Sequence, residues 1–205
     1  YVPKLGKEMF RDALAKHNIV LHIDCHEEDT MKGGEIIPFM EEVPRGGQKT
    51  IYRDYFLHNG VNKWRQGIFH YGIVVYRYEG LAGFAFSGGG YSYPYLDGIL
   101  ITSRYHDKMS ARTIKNILNT MVLDDAKRKA QVYASVLMHE TGHVLGINRG
   151  NTPGCDNRDT YTPSQEGWWI YAPYRSCMNY RYVFEIVGYS DGSHGKNDWD
   201  DWQRI

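Results

Sequence analysis

The residues best placed to do chemistry are His139, Glu140 and His143, within the run His139-Glu140-Thr141-Gly142-His143. Positions four apart share a helix face, so the two imidazoles would converge on one ion. Zinc suits such a pair. Neutral imidazole nitrogens bind it at about 2.0 to 2.1 Å, and a catalytic site adds a third protein donor while leaving one position for water. Water at such an ion ionises at about pH 7 instead of about 15.7. Glu140, beside the first histidine, can take that proton and deliver it to a leaving amine. A helix can also carry two histidines and a glutamate for packing or solvation alone, but the intervening Glu140 and the small Gly142 favour the metal.

These side chains need a helix that stops at the ion. Asp124 and Asp125 are suitable caps for a helix from about Ala126 through Leu145, and Gly146 is its natural end. Val132, Ser135 and Val136 extend the histidine face, which gives the helix a reason to lie against a sheet. A first helix is predicted over Leu5 to His17, with Asn18 as its stop, followed by a strand over Ile19 to Asp24. Further strands are predicted over Ile68 to Tyr78, Leu81 to Phe86 and Ile99 to Ser103. From Ser110, the residues Ile114, Ile117, Leu118, Met121 and Val122 fall at helical spacing. Beyond Gly146 the Gly, Pro, Asn, Asp and Tyr content predicts mainly loops.

At 205 residues the chain has room for one sizeable core, so residues 1–205 read as a single unit with an upper part to about 146 and a lower part over 147–205. Lys plus Arg and Asp plus Glu both number 24, and no basic block offers a phosphate-tracking surface, which argues against nucleic acid as a partner. No apolar run approaches the roughly 18 to 20 residues of a membrane span. The 17 Tyr and 22 Gly beside 23% charged residues suggest the loop-rich, aromatic-walled composition common among secreted enzymes. The acidic cluster Asp24, Glu27, Glu28, Asp29 and the run Asp191 to Asp201 offer oxygen donors of the kind calcium takes. Neither fits the spacing of a calcium loop, so both read chiefly as solvated loops, with calcium kept as a second cofactor to look for.

The helix motif resembles that of the metzincin zinc peptidases, which extend it with a Gly three residues after the second His, where Gly146 stands. Ser176-Cys177-Met178-Asn179-Tyr180 is similar to the Met-turn that metzincins carry beneath zinc, and Tyr180 matches a Tyr that approaches the metal or the oxyanion in some of them. Leu81, Ala82, Gly83, Phe84, Ala85 and Phe86 are similar to the edge strand forming the upper rim of the metzincin cleft. The resemblance implies an α/β fold: a twisted mixed sheet with a backing helix and an active-site helix, above an irregular lower subdomain. It also implies a zinc endopeptidase, extracellular or at the cell surface, acting on a protein or peptide laid along that strand.

The match breaks at the third ligand. Metzincins place a His or Asp six residues after the second His, where this chain has Arg149, and a guanidinium has no lone pair to offer. The candidates that follow are Asn151, Cys155, Asp156, Asp159 and Glu166. Asp156 is favoured because a bridge between Cys155 and Cys177 would hold it beside Met178, under the metal. Three Cys allow three pairings, and Cys155–Cys177 is the one expected here in oxidising conditions. Cys155 as a thiolate ligand and Glu166 as the distant glutamate of the other large group of zinc peptidases are the rival third donors. A binding module that kept the fold without catalysis is the reading from a different class. Oligomeric state is not legible in the sequence.

Overall fold

The apolar spacing at the start of the chain folds as helix α1 (Lys4–Ala15). Asn18 follows in the left-handed region at φ 61, which Asn tolerates better than most residues. The computed structural model describes residues 2–25, 34–88, 96–116 and 125–205, the side chains of 110–116 excepted. The chain is mixed α/β with a small three-stranded mixed sheet, β1 (Tyr71–Val75), β2 (Gly83–Phe86) and β3 (Gly98–Thr102), in the order β1-β3-β2. β1 runs parallel to β3 and β2 antiparallel to it, so among the described residues β2 is an edge. The short helix α2 (Gly47–Ile51) precedes the sheet, α3 (Ser103–Asn116) leaves it, α4 (Asp125–Val144) carries the histidines, and α5 (Glu166–Ile170) lies beyond.

Every residue of β3 is buried, because both faces of the central strand are covered. Alternation sends Ile99 and Ile101 to one face, where they meet Tyr133 and Val136 of α4. Leu100 points the other way, into a cluster with Ile73, Val75, Tyr52 and Phe56. The opposite side of α4 packs on α1 and on the segment after Gly146: Met138 joins Phe10 and Leu14 with Ile147, Tyr174, Cys177 and Met178. Burial on both sides makes the end of α4 apolar all round, and the polar side chains there must find partners inside the protein.

Several sequence expectations need adjustment. No strand forms over Ile19 to Asp24; Ile19 and Leu21 instead rest on the α1–α4 core, and among the described residues no strand pairs with them. The β1 strand keeps only the centre of the expected Ile68 to Tyr78, since Lys63–Arg65 and the turn after it occupy the approach. The helix expected from Ser110 begins at Ser103, directly off β3. Ile117, Leu118, Met121 and Val122 lie outside the described residues, as do Glu27, Glu28 and Asp29. Among the described residues no helix is long and apolar enough to cross a membrane.

Helices α1 and α4 touch most closely at Gly6, where an added Cβ would sit 2.9 Å from the Ala130 carbonyl oxygen. Backbone cannot yield there as a side chain would. Gly6→Val is therefore expected to destabilise the fold by about 1 to 3 kcal/mol through overpacking. A denaturant titration would read this directly, and an unchanged midpoint would show that the helices are free to separate.

Candidate metal centre

Helix α4 delivers His139 and His143 one turn apart, and their Nε2 atoms stand 3.2 Å from each other. Each ring is held from behind by a backbone carbonyl: Nδ1 of His139 lies 2.8 Å from the Cys177 oxygen, and Nδ1 of His143 lies 2.9 Å from the Ile147 oxygen. A carbonyl only accepts, so Nδ1 must carry the proton in both rings. In the neutral rings the Nε2 lone pairs are then turned toward each other. The Asp156 carboxylate completes the group, Oδ1 at 3.2 Å from His139 Nε2 and Oδ2 at 3.3 Å from His143 Nε2.

Three acceptors this close repel unless a cation sits among them, and that cation is a proton or a metal. Asp156 Oδ1 is buried and has no hydrogen-bond partner, so the carboxylate still has a lone pair to give. The spacing discriminates further. Ligands at about 2.0 to 2.1 Å in a tetrahedral shell stand about 3.3 Å apart. The 3.2 and 3.3 Å separations match the edges of such a shell. Two imidazoles and a carboxylate form a donor set that suits zinc and leaves a fourth position open. The residues fit the ion.

The segment after α4 is shaped to return to this point. Gly146, at φ 107, ends the helix in a conformation that side chains avoid. Asp156 itself sits at φ 51, which Asp adopts more readily than most residues. Its N–H donates to the Met178 carbonyl at 3.1 Å. Met178 is fully buried beneath the motif, and its sulfur would lie 2.5 Å from a Cβ added at Gly142. Gly142 thus lets Met178 seat directly under the turn that separates the histidines.

The bridge expected between Cys155 and Cys177 is absent, and both are free thiols. They share one buried cluster with Met178 and serve as small apolar side chains. Burial, then the charges of Asp156 and Asp201, push the Cys155 thiol up. Burial, then the Asp201 charge, does the same for Cys177. Neither offers a thiolate. The backbone bond from Asp156 to Met178 does the positioning that the bridge was expected to do. Cys155 does come within reach of His143 and Asp156, whereas Glu166 is exposed at the start of α5 and Arg149 is exposed in a turn.

Glu140 is buried against the edge strand. A Cβ at Gly83 would lie 2.3 Å from its Oε1, so only glycine leaves room for the carboxylate. The Ala85 backbone lies close enough to help hold the Glu140 pKa down. Burial raises the Glu140 pKa above the ordinary carboxylate range, opposed by the facing histidines. Tyr180 stacks on His139 at 5.7 Å between centroids, and burial followed by the Asp156 charge pushes its phenol up, so it remains a donor. Sequence reasoning missed Tyr161, which lies parallel to the Tyr180 ring at 5.2 Å. Nothing in its spacing from the helix motif points to the metal.

The second acidic grouping, Asp191, His194 and Asp198, also comes together. Its carboxylates are taken up locally. Asp198 Oδ2 accepts from the His194 N–H at 2.9 Å, and Asp191 Oδ1 accepts from the Ser193 N–H at 2.9 Å. Comparisons with known proteins identify no relative: no family model, no curated protein and no solved structure matches the chain.

Two outcomes follow from the donor set. Asp156→Ala should weaken zinc binding by more than the 10- to 100-fold that loss of an outer-shell partner typically costs. Arg149→Ala should leave it unchanged. Competition against a chromophoric chelator measures both, and unimpaired binding in Asp156→Ala would remove the carboxylate from the site.

The second outcome concerns protons. Burial opposes charge on His143, but the facing Asp156 carboxylate, with Glu140, outweighs it and brings the ring up to about 9. At pH 7 the metal-free ring therefore holds a proton that a metal must displace. Calorimetric titration with zinc in two buffers of different ionisation enthalpy should show roughly one proton released. Because that pKa is raised, the metal-free fold should also lose stability as pH climbs from about 6.5 through about 9. Zero proton release would contradict the assignment.

Proposed function

We propose that this chain is a zinc-dependent endopeptidase of the metzincin kind, working outside the cell or at its surface. The observation that carries the reading is the convergence of His139, His143 and Asp156 on one point, with Glu140 beside it. The helix stop at Gly146 and Met178 seated against Gly142 support the family resemblance.

Zinc held by His139, His143 and Asp156 would supply Lewis acidity, lowering the pKa of nearby water and polarising the scissile carbonyl. The remaining work falls to the chain. Glu140, buried and with a raised affinity for protons, takes a proton from the attacking water as its oxygen bonds to the carbonyl carbon. The carbon–nitrogen bond then breaks, and the amine nitrogen receives that proton from Glu140. Tyr180, still protonated and stacked on His139, is placed to donate to the developing oxyanion.

Substrate alignment falls to β2. Ala82 and Phe86 turn their carbonyls toward β3, where they accept from Thr102 and Asp97. By alternation Gly83 and Ala85 present their backbone groups at the open edge, which is where Glu140 meets Ala85. An extended peptide can add there as a further strand.

Glu140→Ala should retain zinc while cleavage of an unstructured protein such as casein falls by about 10² to 10⁴. Metal analysis beside a digestion assay tests this. Zinc bound in the wild type without any cleavage that depends on Glu140 would turn the reading to a binding module.

A further inference from the structure

A cavity of about 370 Å³ opens where the chain enters β2, between Gly80 and Leu81 on one side and Arg104, Tyr105 and Lys108 of α3 on the other. Its size is that of a small ligand pocket or a side-chain subsite. Arg77 and Glu42 also line it, but they pair with each other and cancel. Arg104 and Lys108 do not cancel. They sit four residues apart on α3 and so share a face. Asp107, the acid between them, is drawn instead to Lys129 at 2.8 Å. Among the described residues no ion pair engages either cation, and the cavity carries a net positive wall.

Its position relative to the proposed chemistry is set by β2. Leu81 stands two residues before Gly83, which abuts Glu140, so at about 3.3 Å per residue the mouth lies about 7 Å along the edge. Thr102 ties this approach to β3: its Oγ1 donates to the Leu81 oxygen at 2.6 Å and its N–H to the Ala82 oxygen at 3.0 Å. Tyr105 on the far wall lies within electrostatic reach of Tyr161, which stacks on Tyr180, which in turn stacks on His139.

We propose that this cavity is a specificity subsite for an acidic side chain, Asp or Glu, two or three residues from the scissile bond on one side. The proposal rests on the peptidase reading for its meaning, since it assumes that a peptide lies along β2. The Arg104 guanidinium, set 6.0 Å over the Tyr76 ring, is held at the wall, and Lys108 lines the cavity from the next turn. A carboxylate entering there gains two cationic partners and displaces no internal ion pair.

The test uses fluorescent peptides that carry a single Glu, Gln or Lys, scanned three positions either side of a fixed cleavable bond. Binding is read by anisotropy on zinc-loaded Glu140→Gln, which should hold peptide without turning it over, and kcat/KM is read on the active protein. Glu should bind roughly 5- to 30-fold tighter than Gln at one position, two exposed ion pairs being worth that much, and the gain should fall with added salt. Arg104→Gln with Lys108→Gln should erase the preference while affinity for the Gln peptide stays, and Lys108→Glu should turn it toward the Lys peptide. Equal binding of Glu and Gln peptides at every position, or a preference that survives the double variant, overturns the subsite. A Glu preference in binding without cleavage by the wild type would support the subsite and overturn the peptidase reading instead, so the two failures are distinguishable.

Discussion

The arrangement depends on two hydrogen bonds to backbone carbonyls: those from His139 to the Cys177 carbonyl and from His143 to the Ile147 carbonyl. Each fixes a ring's tautomer and its plane, and so decides that the far nitrogen is a donor to whatever cation arrives. Both carbonyls belong to chain that follows the helix. The helix therefore cannot present its donors unless the segment after Gly146 has folded beneath it. Gly142 is the contact at which this is enforced, because any side chain there would hold Met178, and with it Cys177, away from the rings.

That dependence also accounts for the burial pattern. Glu140 and His139 are 5% and 4% exposed, in a helix covered by the sheet on one side and by α1 on the other. An isolated charge in such a place costs several kcal/mol even after relaxation. The cluster offsets the cost internally, with the carboxylate of Asp156 against the two rings. It remains short of one positive charge at neutral rings, which is the electrostatic content of a cation site. A wholly apolar replacement would pack as well and would have no need of a strained Asp156.

The helix, its stop and the turn under it were legible because they are local: four-residue spacing, a glycine and a short run around Met178 each declare themselves within a few positions. Asp156 was legible only as one of several donors, since its placement depends on a left-handed backbone at that residue and a bond to Met178 22 residues on. The inferred Cys155–Cys177 bridge reached the right neighbourhood through a wrong linkage; packing of two buried thiols and one backbone bond serve instead. The strand expected over Ile19 to Asp24 has suitable residues but no partner strand among the described residues, and pairing is the part of a sheet that a single segment does not encode. Tyr161 and the wall of Arg104 and Lys108 come from parts of the chain far from the motif, brought near it only by α3 and the loop before α5.

The edge strand joins these parts. β2 has only four residues, and one side of it is spent on β3. On the open side, Glu140 lies beside the Ala85 backbone, and Gly83 is bare because Glu140 lies across it. On the proposed reading, the carboxylate that would handle protons lies beside one of the few backbone donors a peptide could use. For a peptide to add along β2, its own carbonyl must compete for the Ala85 N–H or align past it, and Glu140 must be released toward the metal. The Ala85 backbone is one of the influences holding the Glu140 pKa down. On the proposed reading, a peptide aligned on β2 would meet Glu140 at the Ala85 backbone, and Gly83 is the residue whose lack of a side chain leaves room for the carboxylate there.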